Sequence, residues 1–142
     1  MIKITENLKN RITNAIEDGK TLTAAYVDTE GKPHISFYGS THVHTDDSLA
    51  IWVRKKESEL LKTLPTRPNI ALIYGDIAAT YYVHFKGSAS IEQNEKLREQ
   101  IYRTMHPIER KFDHQMLGTA VIIKLDSVTV TTKSGTDISK RN

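Results

Sequence analysis

The densest chemistry in this chain lies between Leu49 and Leu64. Strand alternation puts Leu49, Ile51 and Val53 on one face and Ala50, Trp52 and Arg54 on the other. A short helix from about Lys56 to Leu64, closed by Pro65 and Pro68, sets Ser58 and Lys62 one turn apart on a shared face. The strand end and the helix start therefore bring two cations, the Ser58 hydroxyl and free backbone N–H groups together. Cations beside unpaired N–H groups suit an anion, and phosphate best, because both supply positive charge and directed donors. The same residues also fit a solvated basic turn, where surface charges contribute little.

Other reactive constellations are thinner. His42 and His44 lie two apart and so share a strand face, with His34 and His84 on other strands. No acidic or cysteine ligand stands at a telling distance from them, so a polar barrel rim explains the pair and no metal is expected. His106 and His114 flank a short helix and read as surface or capping residues. Gly39-Ser40-Thr41 lacks the flanking glycine of a nucleophile elbow, and Asp46-Asp47 reads as a turn. No glycine opens a helix after a strand at dinucleotide-binding spacing. Tyr81 and Tyr82 could stack on bases, although strand aromatics more often serve the core or a subunit contact.

Composition narrows the classes. The chain has 142 residues, enough for one domain with a real core, and is 38% hydrophobic and 26% charged. Its net charge of +3 is spread among acidic residues, unlike a nucleic-acid reader's concentrated basic face. With no cysteine, disulfides, thiolate metal sites and cysteine nucleophiles are excluded. Residues 1–20 lack the apolar core of a signal peptide, and no run approaches a membrane span, so the expectation is a soluble, cytoplasmic protein.

The elements that must position the reactive residues follow from period and punctuation. Leu8, Ile12, Ala15 and Ile16 predict an amphipathic helix within residues 1–20, with Thr5 as N-cap and Gly19 as stop. Thr21–Asp28 and Lys32–Tyr38 read as a hairpin turning at Gly31, with Thr41–His44 extending the second strand past a bulge at Gly39. Leu49–Arg54, Asn69–Tyr74, Thr80–Ile91, Val121–Leu125 and Val128–Thr132 complete the strands. Helices are expected over Glu92–Met105 and from Pro107 to about Met116, and residues 133–142 as a loose tail. One domain over residues 1–142 results: an α+β fold built on an antiparallel barrel with peripheral helices.

A series of local patterns then falls into a recognisable order. Gly31-Lys32-Pro33-His34-Ile35-Ser36 leads to a strand ending Ile51-Trp52-Val53-Arg54, followed by Ser58 and Lys62-Thr63-Leu64. Arg67-Pro68-Asn69-Ile70-Ala71-Leu72 and Val83-His84-Phe85-Lys86-Gly87-Ser88-Ala89 come next. This order resembles the pyridoxamine 5′-phosphate oxidase-like family of flavin-binding split β-barrels, best over Leu22–Ile91.

The resemblance implies a split barrel that binds FMN, with relatives that use F420 or haem instead. It implies phosphate contacts from Arg54, Lys55, Ser58 and Lys62, and a flavin ring along His34, Ser36, Ser40 and Thr41 with Trp52 and Val53 nearby. Tyr82 would come from the partner of a homodimer holding its cofactors at the interface. The implied activity is that of a flavin-dependent oxidoreductase acting with a small-molecule substrate or electron donor. A non-catalytic flavin-binding or scavenging module is the alternative, and neither nucleic acid nor membrane is an expected partner. The oxidase subfamily's Ser-Arg-Lys run is Ser58-Glu59-Leu60 here, so the resemblance does not extend to pyridoxamine phosphate oxidation itself.

Overall fold

A computed structural model describes all 142 residues. The elements are α1 (Glu6–Thr13), β1 (Thr23–Val27), β2 (Pro33–Phe37), β3 (His42–Thr45), β4 (Ser48–Val53) and α2 (Glu59–Thr63). After these come β5 (Asn69–Asp76), β6 (Tyr81–Ile91), α3 (Glu95–Thr104), α4 (Pro107–Lys111), β7 (Thr119–Thr132) and β8 (Gly135–Lys140). The strands make one eight-stranded sheet in the order β2-β1-β5-β6-β7-β4-β3, with β8 added beside β7, and every pairing is antiparallel. The α+β antiparallel split barrel expected from the sequence is the observed architecture.

The barrel curls around one apolar cluster. Leu49, Ile51, Val83, Phe85, Val121, Ile123 and Leu125 are fully or almost fully buried there, and Leu8 and Ile12 of α1 plug one end. On the opposite face of β4 a second, smaller cluster of Ala50, Trp52, Ala120, Ile101 and Met105 seats α3. Strand alternation thus buries both faces of β4, which explains why all six of its residues are inaccessible.

Several expectations are corrected. Residues 41–44 do not prolong β2, because β3 pairs only with β4 at the far end of the sheet. Residues Tyr38–Thr41 carry the chain from one sheet end to the other: Tyr38 N still donates to Leu22 O (2.9 Å), and Thr41 N returns to Tyr38 O (3.1 Å). The barrel is closed there by a loop and left split elsewhere. The helix in residues 1–20 is also shorter than expected. Thr5 caps it as predicted, accepting from Leu8 N at 3.2 Å, but it gives way to turns after Thr13 that end at Gly19, φ +70°.

The tail is the third correction. Gly135–Lys140 is a strand along β7, entered at Gly135 with φ +124° and secured by Arg141, which bonds Asp47 Oδ2 at 3.0 Å. Its polar sequence hid it because an edge strand is held chiefly by backbone pairing, and only Ile138 signals apolar packing. The two strands expected over residues 121–132 are one continuous β7, with the register shift against β6 falling at Lys86/Gly87. No helix is long and apolar enough to cross a membrane.

Candidate functional site

The closure loop builds the site. At Trp52 one edge of β4 has no strand partner, so its N–H and C=O need another. Ser40 supplies both: its Oγ accepts from Trp52 N (2.9 Å) and donates to Trp52 O (3.2 Å). This pins the loop to the end of β4 just where the chain leaves the sheet as Arg54-Lys55. Ser58 then caps α2, its Oγ accepting from Leu60 N at 3.2 Å while its own proton stays available.

Between these pieces opens a cleft of about 510 Å³, lined by Ser36, Phe37, Tyr38, Ser40, Trp52, Val53, Arg54, Lys55, Glu57, Ser58, Glu59 and Glu109. Ser36, Ser40, Trp52, Val53, Arg54, Lys55 and Ser58 from the sequence-derived set are therefore brought to one place. Arg54 and Lys55 are exposed and form no ion pair; the Arg54 guanidinium rests over the Phe112 ring, 4.8 Å from its centroid. Neither cation has an ion pair that a ligand would have to break.

Four residues lie outside the lining. Lys62 is exposed on the last turn of α2. Thr41 is buried, with its hydroxyl donating to Tyr38 O at 2.7 Å. Tyr82 lies on the outer face of β6, because the alternate residues Val83 and Phe85 fill the core. His34 shares the face of β2 that carries Ser36, but its Nε2 bonds Asp28 Oδ2 at 2.8 Å.

Trp52 shapes the cleft from below. Its ring is 4% exposed, packs edge-on to Tyr102 at 5.1 Å, lies 5.1 Å from the Arg98 guanidinium, and donates its indole N–H to Asp113 Oδ2 at 2.8 Å. It anchors the base of the cleft to the α4–β7 connection and offers no open face for stacking. Burial pushes the Asp113 carboxyl up, but bonds from Leu117 N, Trp52 and Gly118 N outweigh it and hold the group below its ordinary value. Gly118 is needed for that arrangement: a Cβ there would stand 2.4 Å from Trp52 Nε1.

Sequence reasoning missed the acidic side of the cleft. Glu57 and Glu59 flank Ser58 and were readable, whereas Glu109 arrives from α4 with no local signal. Its carboxylate stands over Gly39, whose Cβ would lie 3.0 Å from the carboxyl carbon. Nearby, burial pushes the Tyr26 hydroxyl up to about 12, with Tyr38, Glu59 and Asp28 adding to it.

His42 is a separate matter. It is 7% exposed, its Nδ1 bonds Ser40 O at 2.8 Å, and its Nε2 has no partner. Burial pushes the imidazole below its ordinary value, helped by His44 and opposed by the Ser40 bond. A neutral ring with its proton on Nδ1 leaves only a bare acceptor unpaired, which costs less than an unpaired donor or charge. Because the folded state resists protonation, the stability tied to this residue is complete above about pH 6.5 and is lost as pH falls towards the lowered folded value. His42→Leu should therefore flatten the acid limb of a Tm-against-pH curve below about pH 6.5; an acid limb parallel to that of the parent protein would contradict this.

Comparison with known proteins agrees with the architecture. No curated protein sequence matches the chain. Among solved structures, a Clostridium acetobutylicum protein related to general stress protein 26, of the pyridoxinephosphate oxidase family, superposes with TM-score 0.70 at 12% identity, covering 96% of each chain. An FMN-binding protein from Syntrophomonas wolfei gives TM-score 0.65 at 10% identity, covering 89% of this chain and 87% of its own. A heme binding protein from Mycobacterium smegmatis gives 0.66 at 17% identity, covering 92% of this chain and 57% of its own. At these identities the likeness establishes the fold. A family model described as pyridoxamine 5′-phosphate oxidase spans residues 8–134, nearly the whole barrel, and the chain belongs to that family.

Proposed function

We propose that the chain binds FMN with its phosphate at the Arg54–Lys55–Ser58 end of the cleft and acts as a flavin-dependent oxidoreductase. The supporting observation is the donor set: two cations without ion pairs and the hydroxyls of Ser36 and Ser58 converge on one cleft, whose wall Ser40 fixes through its two bonds to Trp52. That chemistry fits a phosphate with a polyol chain. Haem fits less well: no histidine, cysteine or methionine lines the cleft, and the one lining residue able to ligate iron, Tyr38, has its hydroxyl pushed away from ionisation by burial. Glu109, which reaches the cleft from α4, disfavours phosphate on its side, since a dianion there would be repelled.

FMN supplies hydride or electron transfer at its ring, and the chain binds, orients and shields it. Arg54 and Lys55 neutralise the phosphate, Ser58 donates to it, and the Trp52–Asp113 anchor keeps the strand end in place. Lys62, one turn beyond Ser58 and outside the lining, makes a secondary contribution.

A homodimer belongs to this reading. Phe37, Thr23 and Ile73 form one cross-strand row on the outer face of β2-β1-β5, and Ile35, Ala25 and Ala71 form the next. Ile35 and Phe37 are 74% and 72% exposed, an apolar surface that a two-fold-related copy would cover. Tyr82, outward on β6, would then serve the partner's cleft.

Titration of the purified protein with FMN, followed by NADH or NADPH, tests the reading. Saturable binding with reduction of the bound flavin is expected. Binding that no nicotinamide reduces would favour a flavin-carrying module, and absence of binding would remove the proposal.

A further inference from the structure

We propose that Asp28 and His34 form an acid–base pair that delivers a proton to an acceptor reduced at the cleft, an inference that rests on the flavin reading above. Asp28 sits where the β1–β2 hairpin begins, and its two oxygens do different work. Oδ1 accepts from Glu30 N and Lys32 N, both at 2.9 Å, which is all the turn requires. Oδ2 is spent on His34 Nε2 at 2.8 Å. The carboxyl is held below its ordinary value first by His34 and then by the Lys32 N–H, so it faces the ring as a carboxylate and Nε2 carries the proton.

The ring is fixed as well as paired. It stacks on Tyr26 with centroids 4.7 Å apart and planes 6° from parallel, and Tyr26 itself belongs to the buried core. The Asp28 side chain is 8% exposed, whereas that of His34 is 37% exposed, and Nδ1 is neither bonded nor sealed off. A hairpin needs no such device. A buried carboxylate that orients one imidazole nitrogen while the other meets solvent is the arrangement of a proton donor and acceptor. Its place suits the role, because His34 lies two residues before Ser36 on the same face of β2, and Ser36 lines the cleft. Tyr38, Glu59 and Asp28 act electrostatically on the Tyr26 hydroxyl, and the exposed Lys32–Glu30 ion pair stands on the turn that Asp28 closes.

The pair points to a class of acceptor. One-electron acceptors need no proton, whereas a quinone or conjugated carbonyl does. Bound reduced FMN would supply the hydride, two electrons and one proton, and would end oxidised. The second proton, for the remaining oxygen, would come from Nδ1 of doubly protonated His34. The ring is left neutral with its Nε2–H still on Asp28, and water reprotonates Nδ1.

The test uses FMN-loaded protein reduced with dithionite and mixed with either menadione, a quinone, or ferricyanide, which takes one electron and no proton. Return of the flavin absorbance gives each rate. His34→Gln should slow menadione reduction on the order of 100-fold and remove its pH dependence, while FMN affinity and the ferricyanide rate stay unchanged. Asp28→Asn, which keeps the Oδ1 turn acceptor, should give a smaller loss of the same kind. In the ligand-free protein the imidazole nitrogen resonances should report Nε2–H, and Asp28→Asn should abolish that preference. Retained FMN binding with an unaltered menadione-to-ferricyanide ratio, or an equal fall in both rates, overturns the acid–base pair alone. Failure of the parent protein to bind FMN overturns the flavin reading and this inference together.

Discussion

Gly87→Ala is expected to destabilise the protein by about 3 kcal/mol or more, lowering Tm on the order of 10 °C. The argument is steric and local. A Cβ at position 87 would lie 2.2 Å from the carbonyl oxygen of Lys124 and 3.0 Å from its carbonyl carbon. Both are backbone atoms of β7 that cannot rotate away as a side chain would. The site is also where the β6–β7 register shifts, with Lys86 opposite Ser127 and Gly87 opposite Leu125. The glycine is there because the bulged backbone comes too close for any side chain, and positive φ plays no part. Since β6 and β7 form the longest pairing in the sheet, the chain cannot relieve the clash without losing register in its centre. Thermal unfolding of the variant by circular dichroism checks this, and a Tm within about 2 °C of the parent, under 1 kcal/mol, would contradict it.

The second large effect concerns binding. Replacing Arg54 and Lys55 together with alanine is expected to weaken FMN on the order of 100-fold or more, because each charge-assisted bond contributes about 1.5–3 kcal/mol. Both side chains are exposed and unpaired, so stability should move by no more than about 0.5 kcal/mol. The double variant separates the two readings that the sequence left open at this turn. A solvated basic turn predicts unchanged affinity, whereas a phosphate site predicts the loss. Glu59→Gln should move the other way, tightening FMN a few-fold by removing a carboxylate from the cleft.

The barrel was legible because its signals are local and repeated. Alternation in Leu49–Arg54, the glycine turn at Gly31 and the cap at Thr5 each specify an element without reference to the rest of the chain. What was not legible depended on partners far away in sequence. His42 looked like a continuation of β2 because its strand is short and nothing nearby announces that it pairs with Ala50 at the opposite end of the sheet. Gly135–Lys140 looked loose because an edge strand can be polar on both faces.

The candidate site divides along the same line. Arg54, Lys55 and Ser58 were readable from adjacent residues, and Ser40 only through the family resemblance. Glu109 and Asp113 were not, since they reach the cleft and the Trp52 ring from a connection more than fifty residues later. Trp52 shows how a residue's location can be legible while the contacts that fix it are not. Its alternation away from the barrel core was clear, but the Asp113 carboxylate that occupies its indole N–H was not.

The most direct measurement of the central claim is the affinity ratio between FMN and riboflavin, which share a ring and differ by the phosphate. Fluorescence titration of the parent protein should show FMN bound on the order of 100-fold more tightly, with the preference collapsing when Arg54 and Lys55 are both alanine. Equal affinity for the two flavins, or a preference for FMN that survives the double substitution, would contradict a phosphate site at the end of β4.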